Sequence, residues 1–321
     1  MPWLTPEEAA DPAHDVYYDP AYLRSVAGAD EVRVLIQDAL VLPLVLRPLP
    51  AWLAAGDLRD AESPYGYAAP LVRGPVDWSA VQAELAAHGV VNAFVRSHPL
   101  QAWCDLPPVT SAPTAVIPLD GGRAQAFAAA RCATHRSQVK RALGLGFTAT
   151  TDIAPADLTG FRALYDETMR RLNAAAFYIF ASEAWGHLCR LGERLALITV
   201  RDAAGTIHNQ ALFLRGPQFA HYHLSARAAE AHNTAGNLLF EAASDWAVAH
   251  GCTAIHLGGG TTGAADDGLL RYKQRIGSAD ATFRTAGIVA DAPAHAGLIA
   301  RWAARSGSSP RWFQAYRQPV V

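Results

Sequence analysis

The stretch LALITVRDAAGTIHNQALFLRGPQFAHYHLS (195–225) decides the fold class. LALITVR (195–201), IHNQALFLR (207–215) and FAHYHLS (219–225) are short runs rich in aliphatic, β-branched and aromatic residues. DAAG and GPQ between them supply turn chemistry, so three antiparallel strands in a meander are predicted. Upstream, residues 157–173 place Leu158, Phe161, Tyr165, Thr168 or Met169, and Leu172 at helical spacing, and Ser182 is positioned to cap a second helix reaching Leu191. Downstream, residues 236–250 put Leu239, Ala242, Ala243, Trp246 and Ala249 on one helix face. Gly251 supplies a left-handed end, and TAIHLG (253–258) is the next strand.

The first half repeats that order. VRVLIQ (32–37), a tight turn at Asp38 and Ala39, and LVLPLVLR (40–47) form a hairpin, with Pro43 placed where no ladder donor is needed. Asp77 caps a helix from Trp78 to His88, and VVNAFVR (90–96) follows Gly89 as TAIHLG follows Gly251. Two copies of one βαβ-like unit, each with helices packed on a mostly antiparallel mixed sheet, make the chain an α+β protein of two similar domains. A ligand site between them is the natural expectation.

Composition sets limits on function. The chain has 321 residues, 51% hydrophobic and 17% charged, enough apolar material for two domains of ordinary size. A formal net charge of -2 gives no bulk attraction to nucleic acid, which excludes a basic DNA-binding protein and confines any polyanion contact to a local patch. No run approaches the roughly 20 apolar residues that cross a bilayer, and MPWLTPEEAADPAHD (1–15) is acidic where a signal peptide is basic, so the expected location is cytoplasmic with no transmembrane segment. Cys104, Cys132, Cys189 and Cys252 lack paired spacing and read as buried small residues. His221 and His223 share one strand face and could meet His232 and His256, but without carboxylates or cysteines at ligand spacing they read as pocket-lining side chains, and no metal is assigned.

The segment GCTAIHLGGGTTGAADDGLLRYKQRIG (251–277) carries the candidate chemistry. Gly258, Gly259 and Gly260 let the backbone approach a ligand, and Asp266 and Asp267 can cap a helical turn beginning near Gly268. That turn presents Arg271, Tyr272, Lys273 and Arg275. The spacing matches neither a nucleotide P-loop nor a dinucleotide fingerprint.

In their order along the chain, SPYGYAAP (63–70), FVRSHPL (94–100), HRSQVKRALGLGF (135–147), YDETMRRLNAAAFYIF (165–180), HYHLS (221–225) and LGGG with DDGLLRYKQRIG (257–277) resemble the Fem family of aminoacyl-tRNA-dependent peptidyltransferases, built from tandem GNAT-like acyltransferase domains. The resemblance implies a first GNAT-like domain over residues 1–113, on the acceptor side and completed by 285–321, and a second over 114–284 that carries the catalytic lysine. It implies transfer of an amino acid from aminoacyl-tRNA to an amine of a peptidoglycan-precursor-like peptide, free or nucleotide-linked, with no covalent enzyme intermediate and no tightly bound cofactor. Lys273 is then the group that stabilises charge during transfer, and Tyr272, where the family usually has phenylalanine, offers an aromatic face to the terminal adenosine. Gly259, Gly260, Arg275, Arg136 and Lys140 fall on the donor side, although Arg136, Lys140 and Arg141 fit a solvated helix face equally well. Tyr65, Tyr67, Arg171, Tyr178, Tyr222 and His223 fall on the acceptor side.

The chemistry agrees with that assignment. An amine attacking an ester builds negative charge on the carbonyl oxygen, and a fixed ammonium there is worth several kcal/mol, by analogy with the roughly 2.7–4 kcal/mol lost with one oxyanion donor. An aminoacyl ester is already activated, so no nucleophilic serine or cysteine is required. The rival reading is an acyl-CoA-dependent N-acyltransferase on the same fold, which needs a glycine-rich pyrophosphate turn. The corresponding ARAAEAHNTAGN (226–237) has only Gly236. A non-catalytic binding protein that kept the groove is the third.

Overall fold

The computed structural model describes residues 2–37, 39–53, 56–130, 133–175, 178–264 and 266–318. Asp38 of the expected tight turn and Cys132 lie outside the described residues. Along the chain come β1 (Trp3–Leu4), α1 (Pro20–Ala27), β2 (Glu31–Gln37), β3 (Leu40–Pro48), β4 (Arg59–Glu62), β5 (Leu71–Val72), α2 (Trp78–Ala87), β6 (Val90–Arg96) and β7 (Pro108–Pro118). There follow α3 (Gly122–Ala129), α4 (Ala133–Gly144), β8 (Thr148–Ile153), α5 (Thr159–Arg171), α6 (Ser182–Cys189), β9 (Leu195–Arg201), β10 (Ile207–Arg215) and β11 (Phe219–Arg227). The chain ends with α7 (Asn237–Ala249), β12 (Ala254–Gly258), α8 (Gly268–Ile276), β13 (Ala279–Val289) and α9 (Ala292–Ser306).

The chain divides into two compact units, the first comprising residues 1–10, 29–111 and 283–321, the second 11–28 and 112–282. Sequence order alone kept residues 11–28 with the first half. Their contacts place them in the second unit, because α1 packs on α6 and Arg194 donates to Asp19 at 3.2 Å and to the Pro12 carbonyl at 3.0 Å.

Within the first unit the strands run β1-β2-β3-β4-β6-β13, with β5 on the far end of β3, and every pairing is antiparallel except β4 with β6. Pro43 sits opposite Val34 in the β2–β3 ladder. Asp77 caps α2 as expected, accepting from the amides of Ser79 and Ala80. Val81 and Leu85 of α2 pack on Leu42, Leu44, Ala93 and Val95, while Leu298 and Trp302 of α9 join Val91, Ala315 and Tyr316 in a separate cluster.

The second unit repeats the pattern with strands β7-β12-β11-β10-β9-β8, again antiparallel except for one adjacent pair, β11 with β12. Leu238, Leu239, Phe240, Ala243, Trp246 and Ala247 of α7 bury against Ile198, Val200, Ala211, Phe213, Ile255 and Leu257, each large side chain contributing roughly 1.5–3 kcal/mol. Gly251 takes the predicted left-handed conformation at φ 77° and returns the chain into β12.

Some details differ from the expectation. The α7 stripe is centred one residue earlier, leaving Ala249 exposed and burying Ala247, and Leu172 lies past the end of α5 with 64% of its surface exposed. Ser182 is the first residue of α6 rather than its cap, and its hydroxyl accepts from Arg162 at 3.1 Å. Cys104 and Cys252 are buried, but Cys189, at the end of α6, is only half-buried.

Candidate functional site

The parallel pair at the centre of the second unit opens into a fork. Phe219, Ala220 and His221 of β11 pair with Ala254, Ile255 and His256 of β12, and the register stops there while β11 continues to Arg227. A bulge accompanies the divergence. Leu224 faces Leu212 and Tyr222 faces Phe213 on β10, so His223 occupies the extra position.

Beyond the fork, β12 ends at Gly258, whose φ of 79° turns the chain into the glycine loop. Asp267 then organises that loop. One carboxylate oxygen accepts from the amides of Leu269 and Leu270 at 2.9 and 3.0 Å, capping α8. The other accepts from the amide and hydroxyl of Thr261, at 3.0 and 2.8 Å, and from those of Thr262, both at 3.0 Å. The Leu270 amide and the threonine donors hold this carboxyl far below the usual carboxylate range. Of the two candidate caps it is Asp267, not Asp266, that serves. Gly260 has a steric reason as well, since a Cβ there would come within 2.3 Å of the Asp267 carboxylate.

Lys273 lies one turn into α8, on its buried side, with 8% of its surface exposed. Its Nζ donates to the Gly259 carbonyl at 2.7 Å and lies 5.8 Å from the centre of the Tyr222 ring. Burial lowers its pKa to about 8, and the Asp267 carboxylate limits the fall. Tyr222 packs against Phe213 and Phe240, and burial raises its hydroxyl. The side chain therefore offers an ammonium at neutral pH, held beside the fork between a carbonyl and an aromatic face.

The neighbouring donor-side candidates are distributed differently. Tyr272 is half-buried with its ring against Phe240 at 6.2 Å, and burial pushes its hydroxyl well above the ordinary range. Arg275 is exposed in the last turn of α8 and Lys140 is exposed on α4, which touches α8. Arg136 is half-buried, its guanidinium donating to the Ala130 carbonyl at 2.7 Å and so closing the end of α3. His135 beside it is buried and clamps α7, 2.9 Å from Asn237 and 3.0 Å from Glu241.

Among the acceptor-side candidates of the second unit, Tyr222 lies beside Lys273. Arg171 is exposed at the end of α5 and donates to the Arg227 carbonyl at 2.6 Å, at the far end of β11 from the fork. Tyr178 is half-buried, its carbonyl accepting from the Tyr165 hydroxyl at 2.9 Å. His223 meets Tyr22 at 5.6 Å, and burial, with the neighbouring His221, lowers its pKa to about 3, so it is a neutral imidazole. Tyr65 and Tyr67 belong to the first unit, where Tyr67 packs edge-on against Phe283. Of the four histidines weighed as ligands, His221 and His256 are 6.1 Å apart, with Asp15 at 3.1 Å from His221, while His232 bonds to Thr234.

The turn before α7 closes on itself. Arg227 donates to the Ala231 carbonyl at 2.8 Å and to Asn233 at 2.7 Å. The amides of Ala235, Asn237 and Leu238 donate to the carbonyls of His232, Thr234 and Ala235. Sequence reading marked Gly259, Gly260, Tyr222 and Lys273 but missed Thr261 and Thr262 as Asp267 partners; the spacing TT-x4-D was the available signal.

No family model and no curated protein matches the sequence. Solved structures do. FemX aligns at a TM-score of 0.64 with 13% identity, covering 92% of this chain and 99% of its own. The C-terminal domain of a putative lysylphosphatidylglycerol synthetase from Agrobacterium fabrum aligns at 0.59 with 14% identity, covering 92% and 94%. L-PGS from Bacillus licheniformis aligns at 0.52 with 14% identity, covering 89% and 93%. The fold is Fem-like.

Proposed function

We propose that the chain is an aminoacyltransferase that passes an amino acid from aminoacyl-tRNA to an amine of a peptidoglycan-precursor-like peptide. The observation that carries this reading is the buried Lys273 ammonium, fixed by the Gly259 carbonyl beside the fork of β11 and β12. The fold shared with FemX supports it.

In the proposed reaction the acceptor nitrogen attacks the ester carbonyl, and the carbon–nitrogen bond forms as negative charge builds on the carbonyl oxygen. Lys273 stabilises that charge. The intermediate collapses by breaking the bond to the 3′-terminal ribose oxygen, and the proton lost by the attacking amine ends on that leaving oxygen. An ammonium already desolvated by the fold needs little reorganisation when the charge appears, which is why burial serves catalysis here. Arg275 and Lys140, exposed on touching helices, supply a local cationic surface for a polyanionic donor on a chain of net charge -2. The acyl-CoA reading is less well supported, because the turn before α7 has a single glycine and the amides of Ala235, Asn237 and Leu238 are bonded within the turn.

The test is direct. Purified protein is given either charged tRNA or acetyl-CoA, with peptide amines and phosphatidylglycerol as alternative acceptors. Product from charged tRNA and a peptide amine is expected. Product from acetyl-CoA alone overturns the tRNA donor, and aminoacylation of the lipid alone overturns the peptide acceptor.

A further inference from the structure

In the first unit Arg33, Arg47, Arg59, Arg96 and Arg317 each meet a carboxylate at 2.6–2.8 Å. Arg301, Arg305 and Arg311 are exposed, and among the described residues none of them forms a salt bridge. Residues 292–321 contain no aspartate or glutamate at all. Arg301 and Arg305 stand one turn apart on α9 and both lean on the segment 48–53. The Arg301 guanidinium donates to the Leu53 carbonyl at 2.7 Å, and that of Arg305 lies 5.1 Å from the centre of the Trp52 ring. Arg311 is followed by Trp312, and the Gln318 side chain accepts from both of their amides, at 3.0 and 3.2 Å. Arg317, next to Gln318, donates to the Pro48 carbonyl at 2.7 Å, which ties this loop to the same segment. Trp52 and Trp312, 36% and 55% exposed, are the exposed tryptophans among the described residues. Each neighbours an arginine that no carboxylate neutralises.

That pairing selects a ligand. A free guanidinium takes phosphate oxygens, and an exposed indole stacks on a base, so together they suit a nucleic acid with unstacked bases. An anionic bilayer also draws arginine and tryptophan, but a helix lying in it needs an apolar face to insert. The apolar side chains of α9 are already used, since Leu298 and Trp302 are buried against Val91, Ala315 and Tyr316. Between the two pairs, Ser308 and Ser309 are exposed, and hydroxyls bond to phosphate where hydrocarbon would leave them unpaired. We infer that this face of the first unit, with Arg301, Arg305, Arg311, Trp52 and Trp312, binds the body of a folded RNA, arginines on backbone phosphates and rings on unstacked bases. The inference rests on the proposed tRNA donor and adds a contact with that RNA away from its charged end. It is also the local patch that polyanion binding requires on a chain of net charge -2.

Binding of uncharged tRNA is measured by fluorescence anisotropy over a salt series for the full wild-type chain, a triple Arg301→Gln, Arg305→Gln, Arg311→Gln variant and a double Trp52→Leu, Trp312→Leu variant. Thermal melts accompany it, transfer from charged tRNA is assayed in parallel, and phosphatidylglycerol vesicles are the alternative ligand. The arginine variant is expected to weaken Kd at least tenfold and to lower the slope of log Kd against log salt by about 2–3, close to one counterion per arginine. The tryptophan variant should weaken Kd at least about fivefold with the salt slope kept, as loss of stacking does. Tm stays at the wild-type value in both, and KM for charged tRNA rises with Kd. An unchanged tRNA Kd in both variants overturns the inference and leaves the transferase reading standing. So does a loss of vesicle binding with tRNA binding intact, which makes the face a membrane surface. A wild-type chain that binds tRNA through these residues yet transfers nothing from charged tRNA refutes the proposed reaction and leaves this surface in place.

Discussion

The Nζ of Lys273 and the carbonyl of Gly259 are joined at 2.7 Å, so the side chain proposed to act in transfer also latches helix α8 to the glycine loop that precedes it. Burial opposes the ammonium that the latch positions, and the Asp267 carboxylate offsets only part of that cost. Replacing the lysine separates the two roles. In Lys273→Met an apolar chain of similar length fills the same buried space and removes the desolvated charge. Transfer is expected to fall at least a hundredfold, in line with the roughly 10²–10³ lost with one oxyanion donor, while Tm stays level or rises. Steady-state kinetics and a thermal melt check both halves; a variant that keeps its turnover removes Lys273 from the chemistry.

The pH dependence follows from the same burial. Lys273 titrates at about 8 in the folded chain against 10.5 for the free side chain. The active form is protonated, so kcat/KM is expected to hold below that pH and decline as the pH rises through 8. The sign for stability is opposite. Between pH 8 and 10.5 the unfolded chain binds the proton that the folded chain has released, so the contribution of Lys273 to stability rises across this window. Loss of activity near pH 8 without loss of structure, followed by circular dichroism, is the expected signature. In Lys273→Arg the high guanidinium pKa carries the charge past this window, and any residual activity should lose its decline near pH 8.

Asp267 and Gly260 are coupled by space as well as by sequence. The carboxylate that caps α8 and binds both threonines fills the volume a side chain at position 260 would need. Gly260→Ala is therefore expected to displace the carboxylate and cost about 1–3 kcal/mol of stability, as overpacking does. The loop that carries Gly259 shifts with it, and transfer falls on the order of a hundredfold, the scale of a 1 Å misplacement. Asp267→Asn keeps the shape but turns an NH2 donor toward backbone amides that can only donate, so it too is expected to lose stability, by loss of bonds and not by crowding. Urea melts together with kinetics distinguish the two; Gly260→Ala with native stability and rate shows that the loop has slack.

Much of this arrangement is legible in the sequence because it is local. The meander of 195–225, the cap at Asp77, the left-handed Gly251 and the lysine-bearing helix all follow from spacing and turn chemistry within a few residues. What stays hidden is non-local. Strand β13 pairs with β6, which precedes it by nearly the length of the second unit, and neither segment carries a sign of the other. Residues 11–28 look like part of the first half because only the fold sets α1 on α6.

The last stretch of the chain is uninformative as sequence, yet in the first unit it completes a buried ionic network. Asp60 on β4 is fully buried and accepts from Arg47 Nε at 3.0 Å and from Arg317 Nε and Nη2 at 2.8 and 2.9 Å. Gln314 donates to the Ala61 carbonyl and to Asn92, both at 2.9 Å, and accepts from Arg47 at 2.6 Å. Arg47 also pairs with Glu62, which is shared with Arg96. Burial alone would raise Glu62, but Arg96 and Arg47 hold it below 4.5, so its contribution to stability is present above that pH and lost as the pH falls through the folded value. Asp60→Ala strands two largely buried guanidiniums and is expected to cost about 3–5 kcal/mol. Glu62→Gln instead should flatten the acid limb of the stability curve while retaining the fold. Urea titrations of the full chain between pH 3 and 7 read both effects, and an Asp60→Ala chain of native stability would show that the terminal segment holds the first unit by its apolar contacts alone.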